Sequence, residues 1–331
     1  MNAEPLFLGV DSGGTKVEAA LVDAQGKVLA SSRRPGGVQT TPAELVADLT
    51  VWAAKLPQGP YGSRIAALGL GVAGQVDQAT GTVRRSPNLP EWLNVPIREM
   101  LERAIQVPTF VINDVQAATL GEWKLQPGVG ASDMVCLFVG TGIGGGVVSS
   151  GRLQFGDSGS AGELGHTVLD YRGSPCHCGN TGCLEAHAGG WAIALRAQQA
   201  VVAAPGAGSA IMTLAGNVLE AISAETVATA AHRGDPMAQR LVEEVGEALG
   251  AGVASIVNAF NPHLVILGGG VIEGLPELID MARHSVRQRS LPSARDSVEI
   301  TKARLGNHAI VIGAALWAQE HLEETGKGTS S

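Results

Sequence analysis

"LFLGVDSGGTKVEAALVDAQGKVL", residues 6–29, is an apolar run that enters an acid and a glycine turn and then resumes alternating apolar sequence. A second stretch, "FVGTGIGGGVVSSGRL" at 138–153, has the same plan of strand, glycine-rich turn, strand, turn and strand. One such unit is a hairpin series. Two of them, about 130 residues apart, predict two similar lobes made by duplication. Strands at 6–11, 17–22 and 27–33, a helix at 43–56, buried strands at 65–74 and 109–114, and a long helix at 236–260 alternate as expected of an α/β protein. Asp235 before Pro236 predicts the start of that long helix, and Pro262 its end. A strand at "HLVILGGG" and a closing helix at 308–322 complete the pattern.

The chain has 331 residues, 45% apolar and 16% charged, with 45 glycines and a net charge of −8. That composition predicts a globular protein large enough for two domains. The negative charge speaks against nucleic acid or an anionic membrane as partner. No apolar run suits a signal peptide or a membrane span, so the cytoplasm is the expected location.

The turn Asp11-Ser12-Gly13-Gly14-Thr15-Lys16 has groups that suit a phosphate. Backbone N–H groups of a tight glycine turn can converge on an anion, Thr15 adds a hydroxyl and Lys16 a cation. Asp11 could hold Mg²⁺ directly or through water. An ordinary hairpin with a solvated lysine is the alternative. "GTGIGG" at 140–145 matches G-x-G-x-x-G, but strand follows it where a dinucleotide site needs a helix. No Walker-type loop occurs.

Three of the four cysteines crowd into "CHCGNTGC" at 176–183, a spacing poor for a disulfide and suited to a metal. Cys176, Cys178 and Cys183 leave one place in a tetrahedral Zn²⁺ site, with His166, His177 and His187 as candidates. His177 sits between two ligand cysteines, where the chain can hardly turn all three side chains inward. Asn113-Asp114 closes the strand "TFVIND", at the end where ligands of open α/β sheets collect, and the same pair would also cap the following helix.

The opening Asp-x-Gly-Gly-Thr-Lys, the second glycine turn and "GELGHTVLDYRGSPCHCGNTGCLE" at 162–185 together resemble the ROK family of sugar kinases and repressors, over nearly the whole chain. The resemblance implies two actin-like, ribonuclease H-like α/β lobes around a central cleft, with a structural zinc loop. The smaller lobe would hold residues 1–115 plus 312–331 and the larger 116–311. It implies ATP-dependent phosphorylation of a hexose at the 6-hydroxyl, with Asp114 as general base. Gly74, Asn88, Asn113, Asp114, Glu163, His166 and Glu185 would bind the sugar. Asp11, Gly13, Gly14, Thr15, Lys16, Thr141, Gly142, Gly269 and Gly270 would bind the nucleotide. His166 would be the fourth zinc ligand, and metal loss is expected to impair sugar binding as well as stability. ATP, Mg²⁺ and structural Zn²⁺ are the implied cofactors, and a homodimer the implied assembly. Glucose is the first choice of sugar. N-acetylglucosamine and N-acetylmannosamine share the same residue set, and fructose comes third. The rival is a sugar-sensing regulator, whose family members place a helix-turn-helix domain before the first turn. That turn begins here at residue 11, which favours the enzyme. Residues 186–215 have no role legible in the sequence.

Overall fold

The computed structural model describes residues 4–13, 16–35, 40–55, 65–86 and 89–328. The chain divides into two compact units. The first comprises Met1–Gly130, Phe155–Ala161 and Arg304–Ser331, and the second Ala131–Gln154 and Gly162–Ala303.

In the first unit, β1 (Leu6–Ser12), β2 (Lys16–Asp23) and β3 (Val28–Pro35) form the expected antiparallel series. β4 (Ile65–Val72) follows, then a small meander of β5 (Gln75–Asp77), β6 (Thr82–Arg85) and β7 (Leu93–Val95), then β8 (Thr109–Asn113). The main sheet runs β3-β2-β1-β4-β8, with β1, β4 and β8 parallel. These central strands are almost fully buried, as parallel strands covered on both faces must be.

The second unit repeats the plan. β9 (Met134–Val139), β10 (Ile143–Ser149), β11 (Arg152–Leu153), β12 (Leu264–Gly268) and β13 (Glu299–Lys302) run in the order β11-β10-β9-β12-β13. The duplication read from the two glycine turns is therefore a duplication of whole sheets. Helix Pro236–Phe260 begins on an Asp235 cap that accepts the Ala238 N–H at 2.8 Å. Its buried face, including Leu241, Val245, Leu249 and Val253, forms part of that unit's core. Cys136 is buried in β9 without a disulfide.

The observed division departs from the expected boundaries at 115/116 and 311/312. Helix Asp114–Lys124 stays with the first unit because it packs on the closing helix Ala309–Gly328. A Cβ at Gly313 would strike the Ala117 carbonyl, and one at Gly121 would lie 3.0 Å from the Ala309 carbonyl. Glu122 also accepts N–H groups from Arg304 and Leu305, at 2.9–3.1 Å. No helix among the described residues is long and apolar enough to cross a membrane.

Candidate functional site

The first group of candidate residues lies at the carboxyl edge of the first sheet. Ser12, Val72 and Asn113, the last residues of β1, β4 and β8, are neighbours in register. Asn113 is the N-cap of helix Asp114–Lys124, and its Oδ1 accepts the N–H groups of Val115 and Gln116 at 3.0 and 3.1 Å. Its Nδ2 donates to the Gly74 carbonyl at 3.0 Å. Asp114 therefore occupies the first helical turn beside the cap, where a carboxylate is favoured by the helix dipole. Its Oδ1 accepts the Val115 N–H at 2.9 Å. Gly74 has φ +144, and a side chain there would strike Arg85. The structure thus gives Gly74 a direct architectural task, orienting Asn113.

At the turn between β1 and β2, Gly13 N–H donates to the Lys16 carbonyl at 3.1 Å. Lys16 Nζ lies 3.1 Å from the buried Asp11 and 3.3 Å from Glu18. Glu18 also meets Arg33 at 2.6 Å and His308 at 2.9 Å. Burial raises the Asp11 carboxyl above its ordinary value although Lys16 pulls it down. The residues expected at Gly14, Thr15 and Asn88 lie outside those described.

The second unit brings the metal candidates together. The ligand atoms of His166, Cys176, Cys178 and Cys183 all lie within 4.8 Å of one another. Cys176 Sγ is 3.8 Å from His166 Nδ1, and Cys178 Sγ is 3.7 Å from Cys183 Sγ. Tetrahedral ligands at a Zn–S distance of about 2.3 Å stand roughly 3.8 Å apart, so the set fits a zinc ion. The backbone ties the loop into a knot, with the Gly179 N–H on the Cys176 carbonyl and the Cys176 N–H on the Asn180 carbonyl. Burial and the neighbouring thiols push Cys183 up to about 12, and burial raises Cys176, whereas the Asn180 N–H lowers Cys178. Thiols so crowded ionise together only when a cation neutralises them. His177 and His187 do not belong to the cluster.

Glu185, next after the knot, is held from three sides. Its Oε2 accepts the Ile143 N–H at 2.8 Å, its Oε1 accepts the Trp191 indole N–H at 3.2 Å, and Cys176 Sγ lies 3.8 Å from Oε1. Gly142 passes so close that a Cβ would collide with this carboxylate. Glu163 Oε2 is 4.0 Å from His166 Nε2, the ring nitrogen turned away from Cys176. The loop carrying both lies flat on β10. A Cβ at Gly145 would sit 2.7 Å from the Gly162 carbonyl, and Gly162 itself has φ +97.

A cavity of about 660 Å³ opens in the same unit, lined by Thr141, Trp191, Ser223, Glu225, Gly270 and Leu275 among others. Of the four residues of this unit expected to bind nucleotide, Thr141 and Gly270 line the cavity and Gly142 and Gly269 do not. Gly269 takes φ +91 beside the Val139 backbone and lets the chain turn from β12 into helix Gly270–Gly274. The walls at Ser223–Glu225 and Leu275 escaped the sequence reading. The capping box of Ser223 and Thr226 marks a helix start, but not what that start faces.

The ROK family model matches residues 7–321. The glucokinase of Streptomyces coelicolor is 34% identical over 316 residues, covering 95% of this chain and 98% of that protein. The N-acetylmannosamine kinase of Shigella flexneri is 33% identical over 315 residues, covering 95% and 98%. The crystal structure of a ROK family glucokinase from Streptomyces griseus, in complex with glucose and AMPPNP, superposes with a TM-score of 0.82 at 32% identity, over 95% of this chain and 99% of that one. With two repeated actin-like sheets, the Cys₃His cluster and a family match over nearly its whole length, this chain belongs to the ROK family.

Proposed function

We propose that the protein is an ATP:hexose 6-phosphotransferase whose preferred hexose is glucose. The observation that carries this reading is the register of the first sheet. Asp11 and Ser12 end β1, while Asn113 ends β8 two strands away and leads into Asp114. At about 4.8 Å per strand, one edge carries both a glycine turn suited to phosphate and a carboxylate suited to a proton.

In this reading Glu163, His166 and Glu185, together with Asn88 and Asn113, hold the sugar ring, and Gly74 acts through Asn113. Asp114 accepts the proton of the 6-hydroxyl as that oxygen attacks the γ-phosphorus of ATP. The phosphoryl group passes to O6, and ADP departs with the electron pair of the broken O–P bond. Gly13, Gly14, Thr15 and Lys16 receive phosphate oxygens from one hairpin, and Thr141 and Gly142 from the other. Gly269 and Gly270 approach the nucleoside, which the apolar cavity beside Thr141 and Gly270 suits. Mg²⁺, when bound, supplies charge neutralisation across the phosphates. Asp11, a buried carboxylate beside the turn, has the oxygen donors to hold it directly or through water. Zinc on the Cys₃His knot would brace the segments that carry Glu163 and Glu185. The cysteine spacing at that knot, poor for a disulfide and suited to a metal, supports a reducing compartment, hence the cytoplasm. The family resemblance supports a homodimer.

N-acetylmannosamine as substrate is the second reading, favoured by a relative nearly as similar as the glucokinase. ADP release with Mg²⁺-ATP and glucose, N-acetylglucosamine, N-acetylmannosamine, mannose or fructose tests both. Glucose should give the highest kcat/KM, and Asp114→Asn should lower kcat about 10³-fold with little change in KM. A higher kcat/KM with N-acetylmannosamine would replace the sugar assignment. Full turnover in the variant would remove Asp114 from the chemistry, and no turnover with any sugar would favour the sensor.

A further inference from the structure

Residues 186–215 carry no legible motif, yet their one tryptophan touches Glu185, the cysteine knot and the cavity wall. Trp191 stands in the first turn of helix Gly190–Ala203. Its backbone N–H donates to the Thr141 carbonyl at 3.0 Å, and the Gly190 N–H donates to Gly140 at 2.9 Å. A Cβ at Gly190 would sit 2.6 Å from that Gly140 carbonyl, so glycine is what lets the helix start close against the turn. The indole N–H reaches Glu185 Oε1, while the Ile143 N–H holds Oε2. The indole stacks on His177 with ring centroids 3.9 Å apart and planes at 23°. It also packs against the cluster of Cys176, Cys183 and Ala186, and it lines the 660 Å³ cavity.

Two N–H groups on the two oxygens of one carboxylate fix its rotation. Oε2 keeps a lone pair for a hydroxyl, and Oε1 keeps one where Cys176, 3.8 Å away, is a metal-bound thiolate that donates nothing. His177, which the spacing of the knot leaves without a ligand role, holds the indole in plane for that bond. A filler residue would need the ring but not its N–H.

We propose that Trp191 is the positioning residue that fixes the Glu185 carboxylate for the sugar, and that its ring couples the nucleotide cavity and the metal knot to that contact. The inference rests on the reading of Glu185 as a sugar ligand. It gives the 186–215 segment a positioning role at the same site.

Trp191→Phe keeps most of the stack, the packing and the cavity wall, and removes one N–H. Glucose affinity by titration calorimetry should fall about tenfold, as expected for a hydrogen bond to a charged group. The KM for glucose should rise in parallel, with the KM for ATP unchanged and the zinc content of the chain retained. Trp191→Ala should also raise the KM for ATP. Glucose affinity within twofold of wild type in Trp191→Phe, with zinc retained, would overturn the proposal and leave the kinase reading standing. A wild-type protein that binds glucose without releasing ADP would end the kinase reading, and the calorimetric ratio would still judge Trp191. A wild type that binds none of the five sugars overturns the two together.

Discussion

Asp11 and Glu18 share one ammonium, that of Lys16, yet their proton affinities move in opposite directions. Burial works upward on both carboxyls. For Asp11 it outweighs Lys16. For Glu18 the hydrogen bonds and charge of Arg33, added to those of Lys16, outweigh burial and hold the group below its ordinary value. A depressed carboxylate contributes stability that is fully present above its unfolded value, near 4.5, and is lost as pH falls through the lowered folded value. Lys16 and Arg33 are partly exposed, so the contribution is a screened one. Glu18→Gln should therefore cost about 1–2 kcal/mol at pH 7. In urea denaturation series the gap to wild type should narrow below pH 4.5. A gap that stayed constant with pH would remove the ion-pair explanation. At the same scale, Asn113 and Asp114 divide two tasks that their sequence left merged. Asn113 caps the helix, and Asp114 is left beside it in the first turn.

The glycines of β10 show why an element can be legible while its purpose is not. "GTGIGGG" reads as a phosphate turn, but Gly145 is required for packing. The 162–166 loop, carrying Glu163 and His166, presses on β10 closely enough that its Leu164 side chain would lie 2.9 Å from a Cβ at Gly145. Gly145→Ala should lift that loop, at a cost of about 1–3 kcal/mol for overpacking. Because His166 moves with the loop, the variant should retain less than one zinc per chain after dialysis against a weak chelator, measured by atomic absorption. Full retention would mean that the knot closes independently of β10. Helix Pro236–Phe260 is the opposite case. Its cap, its proline and its apolar stripe are all local signals, and its observed limits match the predicted ones.

For the whole molecule, the fold depends on the chain returning to its start. Helix Ala309–Gly328 lies against β1 and β4 where Gly9 and Gly69 leave no Cβ to strike the Val311 and Ala314 carbonyls. The return is secured by Glu122, whose carboxylate is fully buried and accepts the Arg304 and Leu305 N–H groups. Burial raises its proton affinity against those bonds. Glu122→Ala would leave two N–H donors buried and unpaired. It should lower stability by about 2–4 kcal/mol, read from the urea midpoint, with zinc content unaffected. An unchanged midpoint would show that the glycine contacts alone hold the helix.

What the amino-acid sequence determined by itself is whatever rests on local period and spacing. The repeated strand-turn-strand units, the long capped helix and the cysteine triplet are of this kind, because alternation, capping and ligand spacing are properties of neighbouring residues. Through those motifs it also carried the family. The tertiary structure alone decided that Gly74 serves Asn113, that Gly142 and Gly145 make room for Glu185 and for the 162–166 loop, and that Trp191 joins the knot, Glu185 and the cavity. It also decided that helix Asp114–Lys124 belongs with the closing helix, ahead of the boundary at Gly130. Each of these is a meeting of residues distant in the chain, set by how closely two backbones can approach, and no short window of sequence records it.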